Sequence, residues 1–237
     1  MEDPPRRRYI ELAVFLDSSN IHDILKAGSL ADRLEICTNR SAGGLTPSLS
    51  DFQTLQRSTD PNKPLYVMIR PRDGGDFIYI SKEYEQMKSD LLAFKNAGAS
   101  GFVFGILDEK NLVDVVKCRE LVEMAGDRPC TFHRAFDIIP PEQMEEQLEV
   151  LIECGFKAVL TSGGVGNAVD NSHVLKRLVK AARGRIEVVV GGGVRSGNLK
   201  ILRETGARWF HSSAVVDGGD VASSEELMDM YRVLGGV

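Results

Sequence analysis

The feature that most limits what this chain can fold into is a strand–helix unit repeated eight times. Short apolar runs at residues 11–16, 33–37, 66–69, 101–105, 130–133, 158–161, 187–190 and 209–212 read as strands. Each is followed by a capped or amphipathic stretch, at residues 21–28, 51–57, 81–97, 111–125, 142–153, 172–182, 198–204 and 225–234. Ala27-Gly28, Ala97-Gly98, Cys154-Gly155 and Thr205-Gly206 each place a glycine where a helix end needs a left-handed residue. Eight βα units are the number that closes a parallel barrel. An open doubly wound sheet would carry a glycine-rich first turn, and Asp17-Ser18-Ser19-Asn20 offers only helix-capping side chains there. The expected fold is α/β, a single (β/α)8 barrel over residues 11–237, with residues 1–10 as a disordered tail beside Pro4-Pro5.

Composition excludes several classes of function. With 43% hydrophobic and 27% charged residues, the chain has the balance of a soluble globular protein, and no apolar run reaches the length of a membrane span. A net charge of −5 with mixed signs, and a basic run confined to Arg6–Arg8, does not favour nucleic acid as a partner. The amino terminus carries no apolar signal segment, and Cys37, Cys118, Cys130 and Cys154 form no C-x-x-C. Reduced cysteines in an intracellular protein are the expectation, the last three packing as small hydrophobes.

In a barrel the chemistry gathers where strands end at their carboxyl edge. Thr131-Phe132-His133-Arg134-Ala135-Phe136-Asp137 concentrates His, Arg and Asp at that edge of strand five. Alternation along strands turns Glu35 and Cys37, Met68 and Arg70, and Thr131 and His133 toward the lumen. Glu35, Arg70, His133 and Asp137 are therefore catalytic candidates, with Glu35 and Arg70 expected to pair, either as part of a site or as barrel filling. The long segments 38–47 and 71–80 should build the mouth, the second contributing Arg72, Asp73 and Asp76. Ser162 and Gly163 after strand six, Gly191, Gly192 and Gly193 after strand seven, and Ser212 and Ser213 after strand eight form either a cradle for a phosphate-like anion or simple tight turns. Arg134 joins these candidate ligand-binding groups. His211 could be an acid, a base or a ligand, because Trp209 and Phe210 leave its orientation open. His22 and His173 fall on helix surfaces. Cys37, near Met68 and His133, offers soft donors of the kind that suit Cu(I).

Together, Arg33-Leu34-Glu35-Ile36-Cys37, Gly43-Gly44-Leu45-Thr46-Pro47-Ser48, Ile69-Arg70-Pro71-Arg72, Gly74-Gly75-Asp76-Phe77, the 131–137 segment and Leu160-Thr161-Ser162-Gly163 resemble the CutC copper homeostasis family. The resemblance runs in unbroken order from about Asp17 to Ser213 and includes Gly191-Gly192-Gly193-Val194 and His211-Ser212-Ser213. It implies a barrel of the triosephosphate isomerase (TIM) type, a homo-oligomer, Cu(I) binding linked to copper tolerance, and a cytoplasmic location that in animals extends to the nucleus. Many members have Glu and Cys on strand one where this chain has Ala13 and Phe15. That Cys is one of two copper ligands proposed for animal members, and Cys37 matches the second. Three functions follow as expectations: copper handling, an acid–base enzyme acting on a small anionic metabolite, or an inactive barrel used as a scaffold.

Overall fold

A computed structural model describes residues 7–17, 20–216, 219 and 221–235. Its strands are β1 (Tyr9–Phe15), β2 (Arg33–Cys37), β3 (Leu65–Met68), β4 (Gly101–Phe104), β5 (Cys130–Phe132), β6 (Ala158–Thr161), β7 (Glu187–Val190) and β8 (Trp209–Ser212). They pair in sequence order, all parallel, and β8 returns to β1 to close the barrel. Between them lie α1 (Ile21–Gly28), α2 (Leu49–Ser58), α3 (Ser81–Asn96), α4 (Val115–Ala125), α5 (Met144–Cys154), α6 (Ser172–Ala182), α7 (Ser196–Leu202) and α8 (Ser224–Leu234). The single-domain TIM barrel is the fold that the eightfold pattern requires. No helix among the described residues is long and apolar enough to cross a membrane.

Element limits move by a few residues for local reasons. Strand β1 starts at Tyr9, because the Tyr9 ring stacks on Trp209 with centroids 4.7 Å apart and its N–H donates to Arg208 O. Of the expected tail, residues 1–6 lie outside the described residues, as do Ser18 and Ser19, which the sequence offers as caps of α1. Helix α4 starts at Val115 because the Asp114 side chain caps it, accepting from Lys117 N. A 3-10 turn, Arg134–Ile138, separates β5 from α5 and was not expected. At the helix ends Gly98, Gly155 and Gly206 are left-handed, as the pattern predicts, but Gly28 is the last helical residue with Ser29 after it. A side chain at position 28 would press on Leu34, so packing explains that glycine.

The large core lies between the strands and the helical ring. Leu34, Ile36, Val67, Ile69, Phe132 and Phe210 all point into it, which leaves their neighbours along each strand to fill the lumen. On the inside, Cys37, Tyr66, Met68 and Val103 form a separate cluster with Phe15 against it. Gly101 makes this tight packing possible, since a Cβ there would lie 2.7 Å from the Tyr66 ring and 2.8 Å from Pro129 O. Because one obstacle is backbone, Gly101→Ala is expected to lower stability by about 1–3 kcal/mol, measured as a shift in the urea unfolding midpoint at unchanged slope.

Candidate functional site

Strand β1 runs between β2 and β8, and its register sets Glu11 opposite Arg33 on one side and His211 on the other. All three side chains turn into the lumen. The buried Glu11 carboxylate accepts from Arg33 Nε at 2.5 Å and pairs with His211 Nδ1 at 2.8 Å. The Arg33 guanidinium is sandwiched between the Tyr66 and Trp209 rings, 4.3 and 4.2 Å from their centroids. Burial alone would raise the Glu11 pKa, but the Arg33 charge and the His211 contacts outweigh it and hold the group at about 2. For His211 burial acts downward, and the carboxylates of Glu35 and Glu11 override it, so the imidazole titrates above its ordinary range. Neither Glu11 nor Arg33 was among the sequence candidates. The orientation of His211, open from sequence, is settled inward.

Glu35 faces the same space without a cation bonded to it. The expected ion pair with Arg70 is not formed: Arg70 donates to the carbonyls of Ala42, Gly44 and Gly74, tying the loops after β2 and β3 together. The Oε2 atom of Glu35 is buried with no hydrogen-bond partner among the described residues. Burial pushes the Glu35 pKa up to about 7, His211 opposing and Glu11 adding to the rise. Glu11, Glu35 and His211 present metal-capable atoms within 4.8 Å of one another. Arg33 already supplies a positive charge to this group through Glu11.

His133 is buried at the end of β5, and its Nδ1 accepts from Ala135 N at 3.2 Å. That bond places the ring proton on Nε2, which itself has no partner. Burial, with the Arg70 charge nearby, lowers the His133 pKa to about 3. Gly105 makes room for the ring, since a Cβ there would approach Nδ1 to 2.6 Å. Phe77 packs edge-on at 4.9 Å and lies 5.1 Å from the Arg70 guanidinium. Its backbone is left-handed, φ 53°, a conformation that bulky residues rarely adopt without support. The support comes from Arg72, which bonds Glu83, Asp76 and the carbonyls of Asp73 and Ile78, while Asp76 accepts from Ile78 N. Arg72 and Asp76 thus hold the loop that carries Phe77.

The remaining candidates form two closed networks. Asp137 makes no bond to His133; it accepts from Thr161 Oγ1, Ser162 N, Ser162 Oγ and Arg134 Nε. Arg134 also reaches Ser162 Oγ and Gly166 O, so these residues clasp the loop after β5 to the loop after β6. Gly163 accommodates the close approach of Asn171 and Leu175. Beyond β7 and β8, the serines expected to contribute to an anion cradle bond Arg195. Its guanidinium donates to Ser212 Oγ, Ser213 Oγ, Val194 O and Val215 O. Gly191 and Gly192 allow tight packing on Leu160 and Ser162. Arg195 was not foreseen, and hydroxyls after strand eight serve a guanidinium as well as a phosphate.

Cys37 is buried, its thiol donating to Val14 O at 3.3 Å. Burial, reinforced by Glu35, raises its pKa well above the ordinary thiol value. A Cβ on Gly44 would stand 3.3 Å from Cys37 Sγ and 3.6 Å from the Met68 Cε methyl, so the loop after β2 passes close over both side chains. Against Met68, a cavity of about 90 Å³ opens at the mouth, its polar lining supplied by Glu35, Arg70, His133, Arg134 and His211.

A closed parallel barrel of eight strands ringed by helices, with polar groups and a small cavity at its carboxyl-end mouth, is a (β/α)8 protein of the TIM-barrel class. The family model described as "CutC family" matches residues 10–216, and the chain belongs to that family. It is 44% identical over 185 residues to the copper homeostasis protein cutC homolog of Homo sapiens, a match covering 78% of this chain and 66% of that protein. The corresponding Caenorhabditis elegans protein is 39% identical over 217 residues, covering 91% and 85%. Among solved structures, the copper homeostasis protein CutC from Streptococcus agalactiae superposes with a TM-score of 0.80 at 30% identity, covering 87% of this chain and 98% of that one.

The electrostatics of Glu35 give a signed prediction. A carboxyl group with a raised folded-state pKa lends stability that is full below its unfolded value, near 4.5, and lost as pH rises through about 7. Glu35→Gln should therefore be more stable than the native chain at pH 8, by on the order of 1–3 kcal/mol, with the difference vanishing by pH 4. Urea unfolding at the two pH values checks it. Arg33→Met should instead destabilise the protein by about 3–5 kcal/mol by removing a partner of the buried Glu11, read in the same unfolding assay.

Proposed function

We propose that this chain serves copper homeostasis by binding Cu(I) at the barrel mouth, with the Cys37 thiolate and the Met68 thioether as its soft donors. The observation that carries this reading is the lumen cluster in which Cys37 and Met68, on neighbouring strands, pack together under the Gly44 loop, in a family whose members are named for copper homeostasis. Soft sulfur donors favour Cu(I) over harder divalent ions, and a thiol must lose its proton to bind it. The raised thiol pKa makes binding proton-coupled: the thiol proton that now bonds Val14 O leaves to solvent as the sulfur binds Cu(I). Phe15 packs on this cluster where many relatives have a second thiol, so the site here has one thiolate. The location implied by this role is the cytoplasm, extending to the nucleus as in animal members, and the assembly a homo-oligomer.

Anaerobic Cu(I) titration against a competing chelator tests the proposal. Native protein should bind one Cu(I), Cys37→Ser should bind at least tenfold more weakly, and Phe15→Cys should bind more tightly because a second thiolate enters beside the first. Equal affinity in the native and Cys37→Ser proteins rejects Cys37 as the ligand.

A further inference from the structure

The cavity at the barrel mouth is surrounded by more positive than negative charge. Arg70, Arg134 and His211 stand in its wall, and among the described residues Glu35 is the one carboxylate there. Behind the wall Arg33 adds a cation, while Glu11 pairs with Arg33 and His211, and Asp137 pairs with Arg134. Burial acts against the His211 cation, but Glu35 and Glu11 outweigh it, with Arg134 opposing them. Arg70 has no carboxylate partner among the described residues, because its donors go to the Ala42, Gly44 and Gly74 carbonyls. Even with Glu35 ionised, cations outnumber carboxylates, and a partly desolvated excess of one sign attracts a counter-charge.

Two cationic donors of this wall are unbonded and open to solvent. Arg134 gives Nε to Asp137 and Nη2 to Ser162 Oγ and Gly166 O, which leaves Nη1 free on a side chain that is 43% exposed. His211 gives Nδ1 to Glu11, so the imidazolium presents Nε2, which bonds nothing among the described residues and is not sealed from solvent. The loop after β7 runs past both cations. A Cβ on Gly191 would stand 3.6 Å from His211 Cδ2, and one on Gly192 3.3 Å from Arg134 Nη2. Glycine at both positions leaves the two cations without a side chain to screen them. The remaining wall is apolar, formed by Ala13, Phe15, Met68, Phe77 and Leu160. A volume of about 90 Å³ equals roughly three water molecules at about 30 Å³ each.

We propose that this cavity binds a short-chain monocarboxylate, its anionic oxygens accepting from Arg134 Nη1 and His211 Nε2 and its hydrocarbon part lying against the apolar wall. Charge selects the ligand's head and volume limits its chain. Met68 belongs both to this wall and to the sulfur cluster, so the anion lies beside the proposed copper site. Its binding needs no copper, and copper-free protein is the material for the test.

The probe is propionate, titrated at pH 6 and followed by NMR of nitrogen-labelled histidines, with propionamide as its uncharged isostere and inorganic phosphate as a second anion. Native protein should bind propionate roughly tenfold or more tightly than either, and the His211 Nε2 resonance should move in step with binding. Arg134→Gln and His211→Gln, each with a native circular dichroism spectrum, should bind propionate roughly tenfold or more weakly. Cys37→Ser, which alters no residue of the cavity wall, should bind it as the native protein does, so failure of the copper reading and failure of this one are told apart. Should one of the two glutamine variants fail to fold, the other and the His211 resonance decide. Propionamide or phosphate bound as tightly as propionate, a His211 resonance that stays still, native affinity in the glutamine variants, or loss of binding in Cys37→Ser overturns the proposal.

Discussion

The interior of this barrel depends on one buried carboxylate. Glu11 lies between Arg33 and His211 on the two strands flanking β1, and it bonds both. Without it, a guanidinium locked between two aromatic rings would sit in a low-dielectric lumen without a counter-charge. With it, the imidazole is fixed in direction and Glu35 faces a neighbouring negative charge. The high pKa of Glu35 thus arises from its own burial, with the Glu11 charge adding to it and the His211 and Arg33 charges opposing it.

A second principle separates support from recognition. Arginines dominate the rim by charge, yet Arg70, Arg72, Arg134 and Arg195 each make several bonds to loop carbonyls, carboxylates or hydroxyls. A guanidinium offers five donors in a rigid fork, and such a group can splice loops that share no secondary structure. These four side chains make the mouth rigid. Buried polar atoms without a partner among the described residues remain nearby on Glu35, Arg70, Thr131 and His133.

Much of this was legible in the sequence because periodicity is local. Eight alternating runs give the barrel, and alternation within β2, β3 and β5 correctly turns Glu35, Cys37, Met68, Arg70 and His133 inward. What stayed hidden was pairing. Glu11 and Arg33 each opened an expected strand, where a charge looks like a boundary, and their contact spans 22 positions. The parity that turns Ala13 inward also turns Glu11 inward, so a register between β1 and β8 would have exposed it. The choice of Arg70 as the partner of Glu35 failed because three backbone carbonyls, which carry no sequence signal, compete for it. Asp137 looked like a companion of His133 by proximity in the chain, while the fold directs it to Thr161 and Ser162.

The contact between Glu11 and His211 joins residues 200 positions apart. During synthesis the first two strands emerge long before the last, and a chain lacking β8 has neither the Trp209 face of the Arg33 sandwich nor the imidazole for Glu11. Contacts of such separation form late, after much loop entropy has been lost. The nascent barrel must therefore carry its charged centre hydrated until its final strand arrives. Closure and desolvation become one event, and a ribosome-bound chain shorter than β8 has seven strands and the Glu11–Arg33 pair but neither the His211 contact nor the Trp209 face that completes it.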